Sequence, residues 1–269
     1  MAFSLPPTRP ADCARAILLL GLAAFGMGPA PDLAAGQLPA PPVAPCSAGQ
    51  LYLTLDTGSM QVAEKIARAL REEHVVATFF VANEATWRGD HALDPAWAGY
   101  WRDRVAEGHV FGSHTWSHAS VRRDLPDGGV RATAMDGRAV EFDEAGYCAE
   151  LTRTSQRFRE LTGQPLSGLW RAPGGHTTAR TLQWAARCGF PRHVGWSDAG
   201  FLGDELPSER YPNELLLKRA LDHVHAGDIL MMHLGIRSRH TPFAEVFQPL
   251  LAGLKAKGYC FATLPPPKS

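Results

Sequence analysis

The 269-residue chain carries 27 Lys and Arg against 27 Asp and Glu, with 45% hydrophobic and 20% charged residues. That is the composition of an ordinary globular core, in one large domain or two small ones. The charge balance is neutral and no Lys/Arg cluster stands out, which argues against nucleic acid or an anionic membrane as partner.

Arg9 and Arg15 flank the approach to an apolar run over residues 16–27, followed by Pro/Ala/Gly-rich sequence with small residues at Ala34 and Ala35. Such a run is too short to span a bilayer comfortably, so the expectation is a cleaved signal peptide over residues 1–35 and export to the periplasm or beyond, without a membrane span afterwards. Residues 36–48 read as a Pro/Ala-rich linker, and residues 49–269 as the folded domain. Beyond the leader stand Cys46, Cys148, Cys188 and Cys260. In an oxidising compartment they can form two disulfides in three pairings. Cys46 with Cys260 is favoured, since both would enter strands at the same end of a barrel.

Apolar strand-like runs follow at residues 51–55, 75–81, 109–112, 168–170, 193–196, 229–232 and 259–263. Helical periodicity fills most gaps, at 61–72, 95–107, 145–161, 178–187, 213–225 and 243–257. The first of these helices carries Val62, Ile66, Ala69 and Leu70 on one face. Seven strands alternating with helices predict an α/β fold with parallel strands. Residues 119–146, polar and Gly-containing, break the alternation and read as a long surface loop or excursion.

In parallel βα architectures the loops after the strands gather at one end, where chemistry sits. The residues following the strands here are Asp56 and Thr57, Asn83, His114, Arg171, Ser197 with Asp198, and His233. His114 and His118 are four apart, and on one helical turn two imidazoles at that spacing lie about 6 Å apart and can share a divalent metal. With 11 histidines in the chain, the spacing alone is weak evidence; its company at the other strand ends is what makes a site. Residues 55–59, Leu-Asp-Thr-Gly-Ser, also match an aspartic peptidase motif. That chemistry needs two carboxylates sharing a proton, the only second candidate is Asp198, and such enzymes are all-β, against the helix-rich pattern here.

Taken in order, Thr54 to Gly58, Thr78 to Val81, His114 to His118, Arg171 to Gly175 and Ile229 to His233 resemble the motifs of NodB-homology polysaccharide deacetylases. The resemblance spans residues 51–264 and implies a distorted (β/α) barrel of about seven parallel strands. It implies Asp56 as general base, Arg171 as the residue holding that base, His233 as general acid, and His114 and His118 as metal ligands. The family's first motif ends in two aspartates, the second a ligand; here Thr57 stands in its place, a poorer ligand for a divalent ion than a carboxylate. Trp196 fits the family's orienting tryptophan, while Asp198 and Asp204 compete to be the carboxylate that orients the acid histidine. His176 is a candidate sugar contact, and Asn83 and His109 remain weaker candidates.

The implied reaction is metal-dependent hydrolysis of N-acetyl groups on an amino-sugar polysaccharide or peptidoglycan, with Zn²⁺ or Co²⁺ as cofactor and an N-acetylated glycan as substrate. Each residue type suits its part. A divalent metal activates water and polarises the carbonyl, a carboxylate takes the proton, and an imidazole returns one to the leaving amine. The alternative is a glycan-binding relative with weak or no catalysis, although a pure binder has no reason to keep Asp56, Arg171 and His233.

Overall fold

The computed structural model describes residues 46–267. The expected signal peptide, and the linker as far as residue 45, lie outside the described residues. The chain runs β1 (Gly49–Asp56), α1 (Ala63–Glu72), β2 (Thr78–Val81), α2 (Ala98–Ala106), β3 (Val110–Ser113), β4 (Ser120–Asp124), β5 (Val130–Thr133) and β6 (Ala139–Phe142). It continues through α3 (Glu144–Thr162), β7 (Leu169–Trp170), α4 (Ala179–Arg187), β8 (Arg192–His193), α5 (Asn213–His223), β9 (Ile229–His233), α6 (Phe247–Ala256) and β10 (Tyr259–Phe261).

Seven of these strands form one curled, open, parallel sheet in the order β10-β1-β2-β3-β7-β8, with β9 also on β1. β1 is its centre. Its first residues pair with β10, and from Tyr52 to Asp56 it pairs with β9 on one side, while Thr54 to Asp56 meet β2 on the other. Strands sandwiched between layers should read as continuous apolar runs, and β2 is buried at every residue. α1 buries Ala63, Ile66, Ala67, Ala69 and Leu70 along one stripe, as a helix covering such a sheet must. Past β8 the chain bends toward β9, where Ser197 N–H donates to the Ile229 carbonyl at 3.1 Å and Phe201 bridges to Met231. This is the distorted barrel that the resemblance implied, and its seven strands match the count from periodicity.

The stretch at 119–146 is more ordered than a surface loop. β4, β5 and β6 form a separate antiparallel sheet. Its turns are set by aspartates whose side chains accept from the backbone N–H two residues on, Asp127 from Gly129 at 3.0 Å and Asp136 from Arg138 at 3.1 Å. Strands of four or five residues with one apolar face half-exposed give too little alternation to register in the sequence. Arg180 of α4 donates to the carbonyls of Leu125 and Gly129, and Ser120 Oγ to that of Pro173, docking this sheet beside the loop after β7.

Two disulfides close the domain, Cys46–Cys260 and Cys148–Cys188. The first is the pairing favoured from sequence, and its physical basis is the parallel pairing of β1 with β10. Among the described residues no helix is long and apolar enough to cross a membrane.

His109 lies just before β3, at the end of the strand away from His114, and its ring is structural. Nδ1 accepts from Ala77 N–H at 3.0 Å and Nε2 faces Glu107 at 3.2 Å. Burial pushes its pKa down to about 4, against the pull of Glu107. A folded pKa below the unfolded value of about 6.5 means the neutral ring stabilises the fold above that pH, and the contribution is lost as pH falls toward 4. Replacing His109→Gln should therefore shrink the drop in melting temperature between pH 7 and pH 4.5; an unchanged drop would show that this ring does not set the acid sensitivity.

Candidate active site

Strand register assembles the site. Asp56 and His233 are partners across β1 and β9, and Ser113 pairs with Trp170 across β3 and β7, so the next residues, His114 and Arg171, emerge side by side. The turn after Asp56 has to be tight. Gly58 has φ 55°, and a Cβ there would come within 2.3 Å of the Gly235 carbonyl, so the chain can pass beneath the exit of β9 only as glycine.

Arg171 and Asp56 form a buried ion pair, Nη1 to Oδ1 at 2.8 Å. The rest of the guanidinium is satisfied by the carbonyls of Val194, from Nε at 3.0 Å, and Gly195, from Nη2 at 2.8 Å. Burial alone would raise the Asp56 pKa. The charges of Arg171 and His233 outweigh it and hold the carboxyl below the usual range.

The His114 ring is fixed by its other nitrogen. Nδ1 lies 2.8 Å from the Arg171 carbonyl, so it carries the proton and Nε2 presents a lone pair. Burial pushes the His114 pKa down to about 4, despite the opposing pull of Asp56, which keeps the ring neutral. Nε2 then faces Asp56 Oδ2 at 3.6 Å, one acceptor opposite another. His114 and His118 come together with ring centroids 4.8 Å apart, edge to face. They do not share a helical turn: Thr115 and His118 both have positive φ, 64° and 53°, in a loop after β3. Left-handed backbone at non-glycine residues is costly and is held by its surroundings. Here Glu150 of α3 accepts from Ser117 N–H and Oγ at 2.7 and 2.8 Å, and Asn83 N–H bonds the Trp116 carbonyl.

On the opposite side, the Asp204 carboxylate holds His233 twice, accepting its backbone N–H at 2.7 Å and lying 3.2 Å from Nδ1. Burial opposes a charge on His233. Asp204 overrides it, helped by Asp56 and Glu205, and lifts the pKa to about 10. Of the two aspartates that could orient this ring, the structure brings Asp204 to it, while Asp198 is exposed and lines a separate cavity with Phe201, Tyr211 and Arg219. Trp196 stands beside Arg171, 5.6 Å from guanidinium to ring, and packs on Gly175; His176 is exposed on the loop after β7.

Thr57 is occupied otherwise than as a ligand. Its hydroxyl donates to Glu84 Oε2 at 2.7 Å and accepts from Ala82 N–H at 3.1 Å, and Gly58 N–H also reaches Glu84 Oε2 at 2.8 Å. Glu84 is a buried carboxylate that the strand-end reading passed over in favour of Asn83, whose own Oδ1 accepts from Leu93 N–H. Burial would raise the Glu84 pKa, but His118 and the Thr57 hydrogen bond outweigh it and hold the carboxyl below the usual range. Among the described residues, as placed, no group of three or more His, Cys, Asp and Glu side chains is drawn together as a ready metal cage. The peptidase reading fails here: the fold is α/β, Asp56 is paired with an arginine, and Asp198 lies elsewhere.

A family model described as Polysaccharide deacetylase matches residues 45–193, more than half of the chain. A peptidoglycan-N-acetylglucosamine deacetylase of Bacillus cereus is 24% identical over 223 residues, 82% of this chain and 69% of that protein. Among solved structures, a family 4 acetyl xylan esterase from Clostridium thermocellum in complex with a cobalt ion aligns with a TM-score of 0.60 and 20% identity, over 80% of this chain and 87% of that one. A CE4 family pseudoenzyme from Bacillus anthracis aligns with a TM-score of 0.59 and 17% identity, over 81% of this chain and 64% of that one. At such identities the structural likeness shows the shared fold.

Two changes test these electrostatics. Arg171→Met leaves the Asp56 carboxylate buried without its partner and should cost about 3–5 kcal/mol in denaturant unfolding. A cost below about 1 kcal/mol, within the range of exposed pairs, would mean the pair is not what holds this end of the sheet. For His233 the folded pKa lies above the unfolded one, so its stabilisation is complete below about pH 6.5 and is lost as pH rises toward about 10. Asp204→Asn should flatten the decline in melting temperature between pH 7 and 9.5 relative to the unaltered protein; parallel curves would contradict the pairing.

Proposed function

The chain belongs to the polysaccharide deacetylase family, and from that premise we propose that it is a hydrolase removing N-acetyl groups from an amino-sugar polysaccharide or peptidoglycan. One observation carries the reading: an ionised carboxylate, Asp56, stands across the β1–β9 pairing from a protonated imidazole, His233, each held by its own partner. Two titratable groups pushed in opposite directions at neighbouring positions are what separate base and acid roles require.

Amide hydrolysis needs a nucleophilic water, charge stabilisation at the carbonyl oxygen and a proton for the departing amine. Asp56, kept ionised by Arg171, takes the proton from the water. His233, charged because Asp204 faces its Nδ1, delivers one to the amine nitrogen. Trp196 and the exposed His176 lie on the loops beyond β8 and β7, where a sugar chain would rest. The chain's donors suit a divalent ion in one specific respect: the unprotonated Nε2 of His114 opposite Asp56 is a pair of acceptors with no proton between them, an arrangement that a cation relieves. His114 and His118 would hold it. When bound, such an ion, Zn²⁺ or Co²⁺, lowers the pKa of water and polarises the carbonyl.

Two disulfides suit an oxidising compartment, which supports export to the periplasm or beyond. A second reading, a glycan-binding relative of weak or absent catalysis, draws on Thr57, whose hydroxyl brings no charge to the site.

Purified protein supplied with Zn²⁺ or Co²⁺ should release acetate from N-acetylglucosamine oligomers or peptidoglycan, and chelation should stop it. Asp56→Asn and His233→Ala should each lower kcat by about 10²–10⁴-fold. Glycan binding without acetate from any such substrate would decide for the second reading.

A further inference from the structure

Among the described residues, Glu84 is a buried acidic group at the cleft that the reaction above leaves without a task. It stands three residues past β2, which lies between β1 and β3, and its carboxylate accepts from the Thr57 hydroxyl and Gly58 N–H. Its side chain is 6% exposed as part of the residue, and among the described residues no Lys or Arg pairs with it. A carboxylate removed from water without a cation is costly, and its hydrogen bonds to Thr57 and Gly58 satisfy only Oε2. Oε1 receives no hydrogen bond from the described residues, nor is it sealed in the core as an orphaned atom.

We propose that Glu84 supplies the metal-binding carboxylate that the family's motif places at position 57, so that the site has moved its charge from the end of β1 to the end of β2. The inference rests on the metal-dependent reading above. Thr57 then has a definite part. Its hydroxyl donates to Glu84 and steadies Oε2, leaving Oε1 for the cation beside His114 and His118. An aspartate at 57 would instead set a second negative charge within hydrogen-bonding distance of Glu84. The two positions therefore exclude each other as acids. A carboxylate at 84 also restores the hard oxygen donor that two imidazoles alone do not give a divalent ion.

Full-length protein stripped with chelator and titrated with Co²⁺ tests this, read as a dissociation constant and as the visible absorption of the bound ion. Glu84→Gln preserves the shape and an acceptor for Thr57 and Gly58, so the metal-free melting temperature should hold. Its Kd for Co²⁺ should rise by about tenfold or more, with a changed spectrum. Adding Thr57→Asp to Glu84→Gln should bring the Kd back to the starting value, because the carboxylate returns from the neighbouring strand. An unchanged Kd in Glu84→Gln overturns the inference, as does unaltered protein that takes up no Co²⁺, or a weakened variant that Thr57→Asp fails to rescue. The outcomes separate from those for the enzyme itself. Acetate release with an unchanged Kd in Glu84→Gln defeats the role of Glu84 and leaves the deacetylase standing. Metal held through Glu84 with no acetate from any glycan does the reverse.

Discussion

The arrangement hangs on Arg171, and on two different parts of it. Its guanidinium, fully buried, holds the Asp56 carboxylate at 2.8 Å and keeps it ionised where burial alone would protonate it. Its backbone carbonyl, 2.8 Å from His114 Nδ1, settles which nitrogen of that ring bears the proton. One residue thus sets the charge of Asp56 and the tautomer of its neighbour. It can do so because β7 lies next to β3, with Ser113 and Trp170 in register, and because the segment past β8 offers two carbonyls to take the remaining N–H groups. Without those carbonyls the pair would be a desolvated charge with unmet donors, the condition under which buried ion pairs destabilise.

The His233 side is built on a different plan. His233 is not fixed by a strand neighbour but by Asp204, from a loop that follows the bridge to β9, and Asp204 binds both its backbone and its ring. The two carboxylates therefore do opposite things with similar contacts. Asp56 faces a permanent cation and stays ionised; Asp204 faces an imidazole and makes it a cation. Burial works against the charge in both cases, so each outcome depends on the partner rather than on exposure.

Much of this was legible in the sequence because parallel strands put their chemistry at the first residue past the apolar run. Asp56, His114, Arg171 and His233 could be picked out that way, and the seven strands could be counted. What was not legible depended on backbone geometry or on competition between like residues. The spacing of His114 and His118 suggested a helical turn, whereas two left-handed residues in a loop bring the rings together, anchored by Glu150 more than thirty residues away. Nothing local distinguishes Asp198 from Asp204; only the fold decides which meets His233. The sheet at β4 to β6 was hidden because its strands are short and partly exposed. Glu84 escaped because it stands one residue beyond Asn83, in a stretch that reads as an ordinary loop, and its importance appears only once Thr57 and Gly58 are seen to bind it.

Thr57 looked in the sequence like a lost charge. In the fold, the charge has a neighbour ready to replace it. At the ends of β1 and β2 stand two buried carboxylates, Asp56 and Glu84; one permanent cation, Arg171, pairs with Asp56, and His114 is neutral. One negative charge is left unmatched in a desolvated place, and a protein does not keep such a charge cheaply. In the proposed reaction that excess has a use, since a divalent ion meeting it leaves a net positive charge where the carbonyl oxygen becomes negative, the sign that lowers the barrier. A site that had drifted to glycan binding alone would have no such reason to keep a carboxylate at Glu84.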